Sequence, residues 1–239
     1  MNPGRTRPGS RLIADRGAER WTCPETPPRN ILRVASTGRG GAGPGTGAAT
    51  GNNRPVLIRT KLASDDGACV AVMERTHAVD GYPRYWPAKP ARFLRAQGET
   101  DAWVAVLGRG LDEGPDDGPD GRVVGQVALH RAEGEPVLAL AQEATGLPAE
   151  RLAVLARLLV HPEARGRGVG RALVRTATAR AHATGRRAVL DVLQRTTGPA
   201  RLYESEGWTR LGPTTLDLSG FGYGEVPPLQ LWVYLSPAG

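Results

Sequence analysis

Between positions 158 and 171 the chain reads LLVHPEARGRGVGR, with Gly166, Gly168 and Gly170 following an apolar run and a His-Pro corner. Glycines at a helix start let successive backbone N–H groups crowd toward one point. The helix N-terminus adds about half an elementary positive charge, and Arg165, Arg167 and Arg171 add whole ones. The chemistry this favours is the seating of a polyanion, above all a diphosphate. A flexible turn and a basic nucleic-acid patch are the competing readings. A turn needs one glycine, however, and each glycine inside a helix costs roughly 0.5–1 kcal/mol relative to alanine. Spacing excludes two well-known phosphate loops. The third position after Gly168 is Arg171, which breaks G-x-G-x-x-G, and no G-x-x-x-x-G-K-[ST] occurs anywhere.

Such a loop has to be held between a strand and a helix, and the flanking patterns supply both. LAVLARLLV (152–160) reads as a buried strand. Val169 to Thr184 is helical by pattern, with Val169, Leu173, Ala177 and Ala181 on one stripe and Gly185 as its stop. RAVLDVLQ (187–194) is a second buried strand, and strand, helix and strand together form a βαβ unit whose strands lie parallel. Upstream, PVLIRTKLA (55–63) reads as a strand, and Ser64, Asp65 and Asp66 offer an N-cap and first-turn acids for a helix. A proline-stiffened connection, YPRYWPAKP, leads to a short helix around ARFLRAQ, and DAWVAVLG and RVVGQVALHR are strands joined by a glycine-rich acidic loop. PVLALAQEATG is a short helix, PARLYESEG opens a helix with Pro199 at its first position and stops at Gly207, and PPLQLWVYLSP closes the chain as a strand. The predicted fold class is α/β, a mixed and mostly antiparallel sheet with a central parallel pair and helices on both faces.

Composition divides the chain in two. Residues 1–54 hold nine arginines against Asp15, Glu19 and Glu25, while the remainder is nearly balanced, so most of the net charge of +7 belongs to this segment. The segment is rich in Gly, Pro and Arg and lacks any hydrophobic period, which predicts a disordered basic tail ahead of a domain at 55–239. Arginine outnumbers lysine 29 to two along the whole chain, so arginine richness alone does not argue for nucleic acid. The helix that would read a groove has no signature here. Asp112, Glu113, Asp116, Asp117 and Asp120 lack the ordered spacing of a calcium loop. His77, His130, His161 and His182 show no ligand spacing with one another or with Cys23 and Cys69, so no metal and no disulfide are expected. No secretory segment follows Met1 and no apolar run approaches the ~18 residues of a membrane span. The expectation is a cytoplasmic protein, monomeric or homodimeric, with no membrane partner.

The spacing Arg165-x-x-Gly168-x-Gly170 after Leu158-Leu159-Val160-His161-Pro162 resembles the acyl-CoA loop of the GCN5-related N-acetyltransferase superfamily. Downstream, LDVLQRTTGPARLYESEGW (190–208) resembles that family's second segment, and the likeness spans about residues 55–239. It implies the acyl-CoA N-acyltransferase fold, in which the parallel strands splay apart, and an N-acetyltransferase that uses acetyl-CoA as co-substrate and an amine of a small molecule or peptide as acceptor. Leu158, Leu159 and Val160 are then the main-chain partners of the pantetheine arm. Arg165, Gly166, Arg167, Gly168, Val169, Gly170 and Arg171 hold the diphosphate, and one main-chain N–H serves as oxyanion donor.

The same resemblance gives Tyr203 the protonation of the leaving sulfur. Asp191 stands where a matching branch, the bacterial ribosomal-protein N-acetyltransferases, carries a glutamate as general base, directly or through water. A buried carboxylate with a raised pKa suits that work, and Glu143 and Glu74 are weaker substitutes. Tyr82, Tyr85 and Trp86, with Phe93, fall in the connection that lines the acceptor pocket in this family, where they would favour a partly apolar or cationic amine; capping the core would explain them equally. Thr196 replaces an asparagine that usually braces the cofactor, and Pro199 an alanine. A helical insertion stands before LAVLARLLV where simpler members have a tight hairpin. With no cysteine near either segment, direct attack in a ternary complex is expected. A catalytically idle acyl-CoA-binding module and a nucleic-acid binder acting through the tail are the rival readings.

Overall fold

The computed structural model describes residues 32–33, 55–108, 121–219 and 226–239. The acidic loop of Asp112 to Asp120 and nearly all of the basic 1–54 segment lie outside these residues, and so do the readings made of them. Eight strands form one sheet: β1 (Leu32–Arg33), β2 (Val56–Thr60), β3 (Glu99–Leu107), β4 (Arg122–Arg131), β5 (Leu152–Val160), β6 (Arg187–Leu193), β7 (Thr209–Leu216) and β8 (Leu229–Leu235), in the spatial order β1-β2-β3-β4-β5-β6-β8-β7. Only β5 and β6 run parallel; every other pair is antiparallel. The sheet thus takes in two residues, Leu32 and Arg33, from ahead of position 55.

Five helices cover the sheet: α1 (Asp66–Asp80), α2 (Pro90–Leu94), α3 (Val137–Thr145), α4 (Val169–Ala183) and α5 (Thr197–Ser205). Alternation along the strands splits the core between two faces. Ala105, Leu107, Val127, Leu129, Ala153, Leu155, Ala188 and Leu190 turn toward α4, whose stripe of Val169, Leu173, Val174, Ala177 and Ala181 is buried throughout, and Tyr203 and Leu202 of α5 pack there too. The opposite face carries two separate cores. Val104, Val106 and Leu159 meet Cys69, Val72 and Met73 of α1 and Leu94 of α2, whereas Leu152, Val154, Val189 and Val233 meet Val137, Leu138 and Ala141 of α3. The helices lie on both faces, as the sequence predicts.

Three local readings need correction. Ser64 is not the cap of α1. A 3-10 turn at Ala63–Asp65 precedes the helix, and the acids there are held by cations instead: Asp65 accepts two bonds from Arg59 at 2.7 and 2.8 Å, and Asp66 pairs with Lys61 and Arg95. Helix α5 begins at Thr197, which puts Pro199 at its third position, where the missing N–H has no intrahelical acceptor to lose. Strand β7 was not foreseen, because Gly212 and Pro213 read as breakers. As the edge strand, bulged between Arg210 and Gly212, it tolerates both.

Gly125 of β4 fixes how close α4 comes to the sheet. A Cβ there would stand 2.8 Å from the Leu159 carbonyl oxygen, 3.1 Å from Leu173 Cδ1 and 3.3 Å from Val169 Cγ1. A backbone oxygen cannot step aside as a side-chain tip can. Gly125→Ala should therefore cost about 1–3 kcal/mol in urea unfolding, and an unchanged midpoint would show that the approach is looser than described.

Candidate active site

The parallel pair β5 and β6 is joined for only three residues, Leu152↔Arg187, Ala153↔Ala188 and Val154↔Val189. Beyond that point β5 stays with β4 as far as Val160, while β6 stays with β8 as far as Leu193. The two strands part, and the edge of β5 from Leu155 to Val160 faces the gap with no strand beside it. Leu158, Leu159 and Val160 therefore stand on this edge. A bulge accentuates the parting: the register jumps from Gln126↔Leu159 to Ala128↔Ala156, and Arg157 within it has φ of +56°, the only positive value at a non-glycine among the described residues.

The glycine loop closes the mouth of the gap. A 3-10 turn at Pro162–Ala164 leads to Gly166 (φ +75°) and Gly168 (φ +77°), and Gly168 is the N-cap of α4. Nothing lies within 4 Å of a Cβ built on either, so what these two glycines supply is the left-handed backbone rather than room inside the protein. Gly170 differs: its Cβ would touch Leu202 Cδ2 at 3.3 Å, which lets α5 pack onto α4. The Ala164 and Arg165 amides bond back within the turn, and Ala172 donates to the Gly168 carbonyl, but the six amides from Gly166 to Arg171 find no backbone acceptor among the described residues. Six consecutive unspent donors at a helix N-terminus form an anion seat.

The arginines contribute less than their number suggests. Arg165 forks onto Asp80 at the end of α1, and Arg171 donates to Glu206 at 2.7 Å, joined there by Arg175. Arg167 is exposed and has no ion pair among the described residues. Thr196 precedes α5, and its hydroxyl donates to the Leu193 carbonyl at 2.7 Å, so its proton is already committed.

Asp191 and Tyr203 converge on the gap from different elements. Asp191 is the exposed residue in a strand otherwise mostly buried, yet protein crowds it on every other side, as at the floor of a narrow recess. That crowding raises its carboxyl above the usual carboxylate range; the Arg157 cation and its own backbone N–H oppose the rise and Glu135 adds to it. The Tyr203 ring is buried against Trp208 and Tyr234, with centroids at 5.5 and 6.0 Å. Its hydroxyl makes no hydrogen bond to the described residues and is not sealed from solvent. Burial raises its pKa, and the negative charge that Tyr82 and Asp191 can carry raises it further, so all three lie within electrostatic reach. Cys69 is buried, with its thiol pushed up to about 12, and is no nucleophile.

The other expected residues divide. Tyr82 is half-buried against the α1 core. Trp86 meets the His77 ring at the end of α1, tilted by 55° with centroids 5.3 Å apart, and is 38% exposed. Tyr85 lies beneath the Arg84 guanidinium at 5.9 Å. Glu74 and Glu143 are exposed on the outer faces of α1 and α3, away from the recess, and the structure gives neither the place of a base. Sequence reading passed over three residues: Arg157 and Glu135, which act electrostatically on Asp191, and His130, which contacts Glu135. Arg157 lies over the Phe93 ring at 3.8 Å, Glu135 precedes α3, and His130 is buried on β4 with its Nδ1 3.3 Å from Glu135. Burial lowers the His130 pKa, and Arg157 adds to this against the Arg131 carbonyl and Glu135. A charged residue inside an otherwise apolar strand, LAVLARLLV, was the one available signal for Arg157.

Residues 100–210 match the family model of the acetyltransferase (GNAT) domain. This matched segment, which takes in the glycine loop and both strands of the gap, is a GNAT acetyltransferase domain. Its GNAT fold is shared with Arabidopsis thaliana NAA60, solved in complex with acetyl-CoA (18% identity over 75% of this chain and 97% of that one, TM-score 0.53). It is also similar to a GCN5-related N-acetyltransferase from Kribbella flavida (20%, 76% and 97%, 0.51) and to the ribosomal-protein-S18-alanine N-acetyltransferase from Escherichia coli (16%, 77% and 96%, 0.50). At such identities the likeness is one of fold. A search of curated proteins gives no match. Among the described residues no cluster of His, Cys, Asp or Glu could hold a metal, and no helix is long and apolar enough to cross a membrane.

The raised pKa of Asp191 has a consequence for stability. Below the unperturbed value of 3.8 the carboxyl is protonated in both the folded and unfolded chain, and nothing is lost. As pH rises past that value the unfolded chain ionises first, so folding loses stability until the folded-state pKa is passed. Asp191→Asn should therefore raise the thermal midpoint at pH 8, with the gain fading as pH falls toward 4. A variant less stable than the parent at pH 8 would show that the ionised carboxylate is a structural partner.

Proposed function

We propose that the chain is an acetyl-CoA-dependent N-acetyltransferase that moves the acetyl group to a primary amine by direct attack in a ternary complex. The observation that carries this reading is the gap between β5 and β6 with six unpaired amides at its mouth. An extended pantetheine arm would lie along Leu158, Leu159 and Val160 as an added strand, and the diphosphate would sit on the amides of Gly166 to Arg171. Because Arg165 and Arg171 are held by carboxylates, the grip rests on main-chain donors, with Arg167 as the free side-chain cation. Thr196 can still accept a bond through its hydroxyl oxygen.

In the reaction the amine nitrogen attacks the thioester carbonyl carbon, and a β5 main-chain N–H facing the gap stabilises the negative oxygen that forms. Asp191, directly or through one water, takes the proton from the nitrogen; its raised pKa makes it a stronger base than an ordinary aspartate. The carbon–sulfur bond then breaks, and the Tyr203 hydroxyl protonates the thiolate. The products are the acetylated amine and free CoA thiol. The surroundings of Tyr203 keep its proton in place until the sulfur carries charge. Tyr82, which senses Tyr203, and Tyr85 and Trp86 beyond it would form the acceptor side. The buried Cys69 thiol gives no support to a covalent acyl-enzyme.

Release of CoA thiol from acetyl-CoA over an amine panel should show turnover. Tyr203→Phe should lower kcat at least about tenfold with cofactor affinity unchanged in calorimetry; an unaltered kcat would remove Tyr203 from its role. Gly168→Glu, which forces a side chain onto a left-handed residue and sets a carboxylate in the anion seat, should abolish CoA binding while far-UV circular dichroism stays the same. Retained binding would contradict the seat.

A further inference from the structure

On the floor of the recess two opposite charges face each other without meeting. Arg157 projects from the β5 bulge onto the α2 side of the sheet. Its Nε donates to the Phe93 carbonyl at 2.9 Å, its guanidinium plane lies over the Phe93 ring, and Gln126 Nε2 reaches its carbonyl at 3.5 Å. The residue is thereby fixed in a backbone conformation that costs energy for any side chain but glycine's. What this arrangement leaves unspent is the outer fork. Neither terminal nitrogen bonds a carboxylate or carbonyl among the described residues, although the residue is half-buried. Asp191, on the neighbouring strand and the same face, feels the Arg157 charge but stands beyond ion-pair distance. Glu135 and His130 frame the same floor without closing the fork.

Resting on the transferase reading, we infer that the amine acceptor is a free amino acid or a close analogue, with a carboxylate on the carbon that bears the amine. The carboxylate takes the open fork of Arg157, and the amino group is thereby directed toward Asp191 and the thioester. A guanidinium fork matches a carboxylate with two parallel N–H···O bonds, which fixes orientation as well as position. An acceptor with its two charges in the reverse order of Arg157 and Asp191 presents each group to its opposite charge. A polyamine would set a second cation against Arg157. The N-terminus of a peptide would offer a neutral amide there, able to accept a bond but not the charge-assisted pair.

The test compares amino acids with their own carboxamides, which differ only at the group that meets Arg157. Initial rates of CoA thiol release are measured for each pair, together with peptides bearing free N-termini, and are corrected for the fraction of unprotonated amine. Acetyl-CoA binding is measured separately by calorimetry. The free acid should exceed its carboxamide at least about tenfold in kcat/KM, the scale of one charge-assisted contact, chiefly through KM. Arg157→Gln should bring that ratio close to one, and Arg157→Lys should recover part of it. The ratio in the parent protein needs no variant to fold. A ratio of one or below, or peptides as the best acceptors, overturns the amino-acid assignment; if acetyl-CoA still binds and any amine is acetylated, the transferase reading survives. Absence of acetyl-CoA binding overturns both.

Discussion

The structure depends on an interrupted strand pairing. Two parallel strands in the middle of an eight-stranded sheet share three residue pairs and then part, each continuing with its antiparallel neighbour. Antiparallel pairing on the outer sides compensates for what the parting forfeits, so the gap is built without exposing an edge of the whole sheet. The bulge at Arg157 turns β5 out of register and adds local twist. Gly125 lets α4 settle close against β4, which brings its N-terminus to the place where the strands open. Cleft, anion seat and recess all follow from this one break.

A second constraint is electrostatic. The recess holds Asp191, Glu135 and Arg157 close enough to sense one another without neutralisation, while burial disfavours charge on His130. A folded protein maximising its own stability would pair or remove such groups. Their cost fits a site whose partner is a ligand. The contrast with the loop is instructive: Arg165 and Arg171 are paired by Asp80 and Glu206. Those pairs anchor the end of α1 and the end of α5 to the loop, and the main-chain amides remain its unspent donors.

Much of this was legible in the sequence because period and punctuation agree. The stripe Val169, Leu173, Ala177 and Ala181 faces the core, and Gly146, Gly185 and Gly207 follow α3, α4 and α5 with positive φ, each where a glycine after a helical pattern predicts the end. What failed has physical causes. Strand β7 was hidden because Pro213 is tolerated at an edge that needs no donor there. Asp65 does stand at the N-cap of α1 and Asp66 in its first turn, but Asp65 makes no side-chain capping bond, because both acids answer to Arg59, Lys61 and Arg95, which sequence spacing does not place beside them. For the site, Tyr203, Asp191 and Tyr82 come together from three separate elements, whereas Glu74 and Glu143 point to solvent, a difference of helix face that spacing did not resolve. Arg157, Glu135 and His130 were missed because a bulge and a strand register, neither written in any short motif, bring them to one floor.

The central claim is that the main-chain amides of 166 to 171 hold the cofactor's diphosphate. Backbone amide NMR of the intact chain during titration with CoA tests it most directly. Gly166, Gly168, Val169 and Gly170 should show the largest shifts and become protected from solvent exchange, with Leu158 to Val160 following as the pantetheine arm aligns. Saturable CoA binding that leaves these resonances in place would contradict the account.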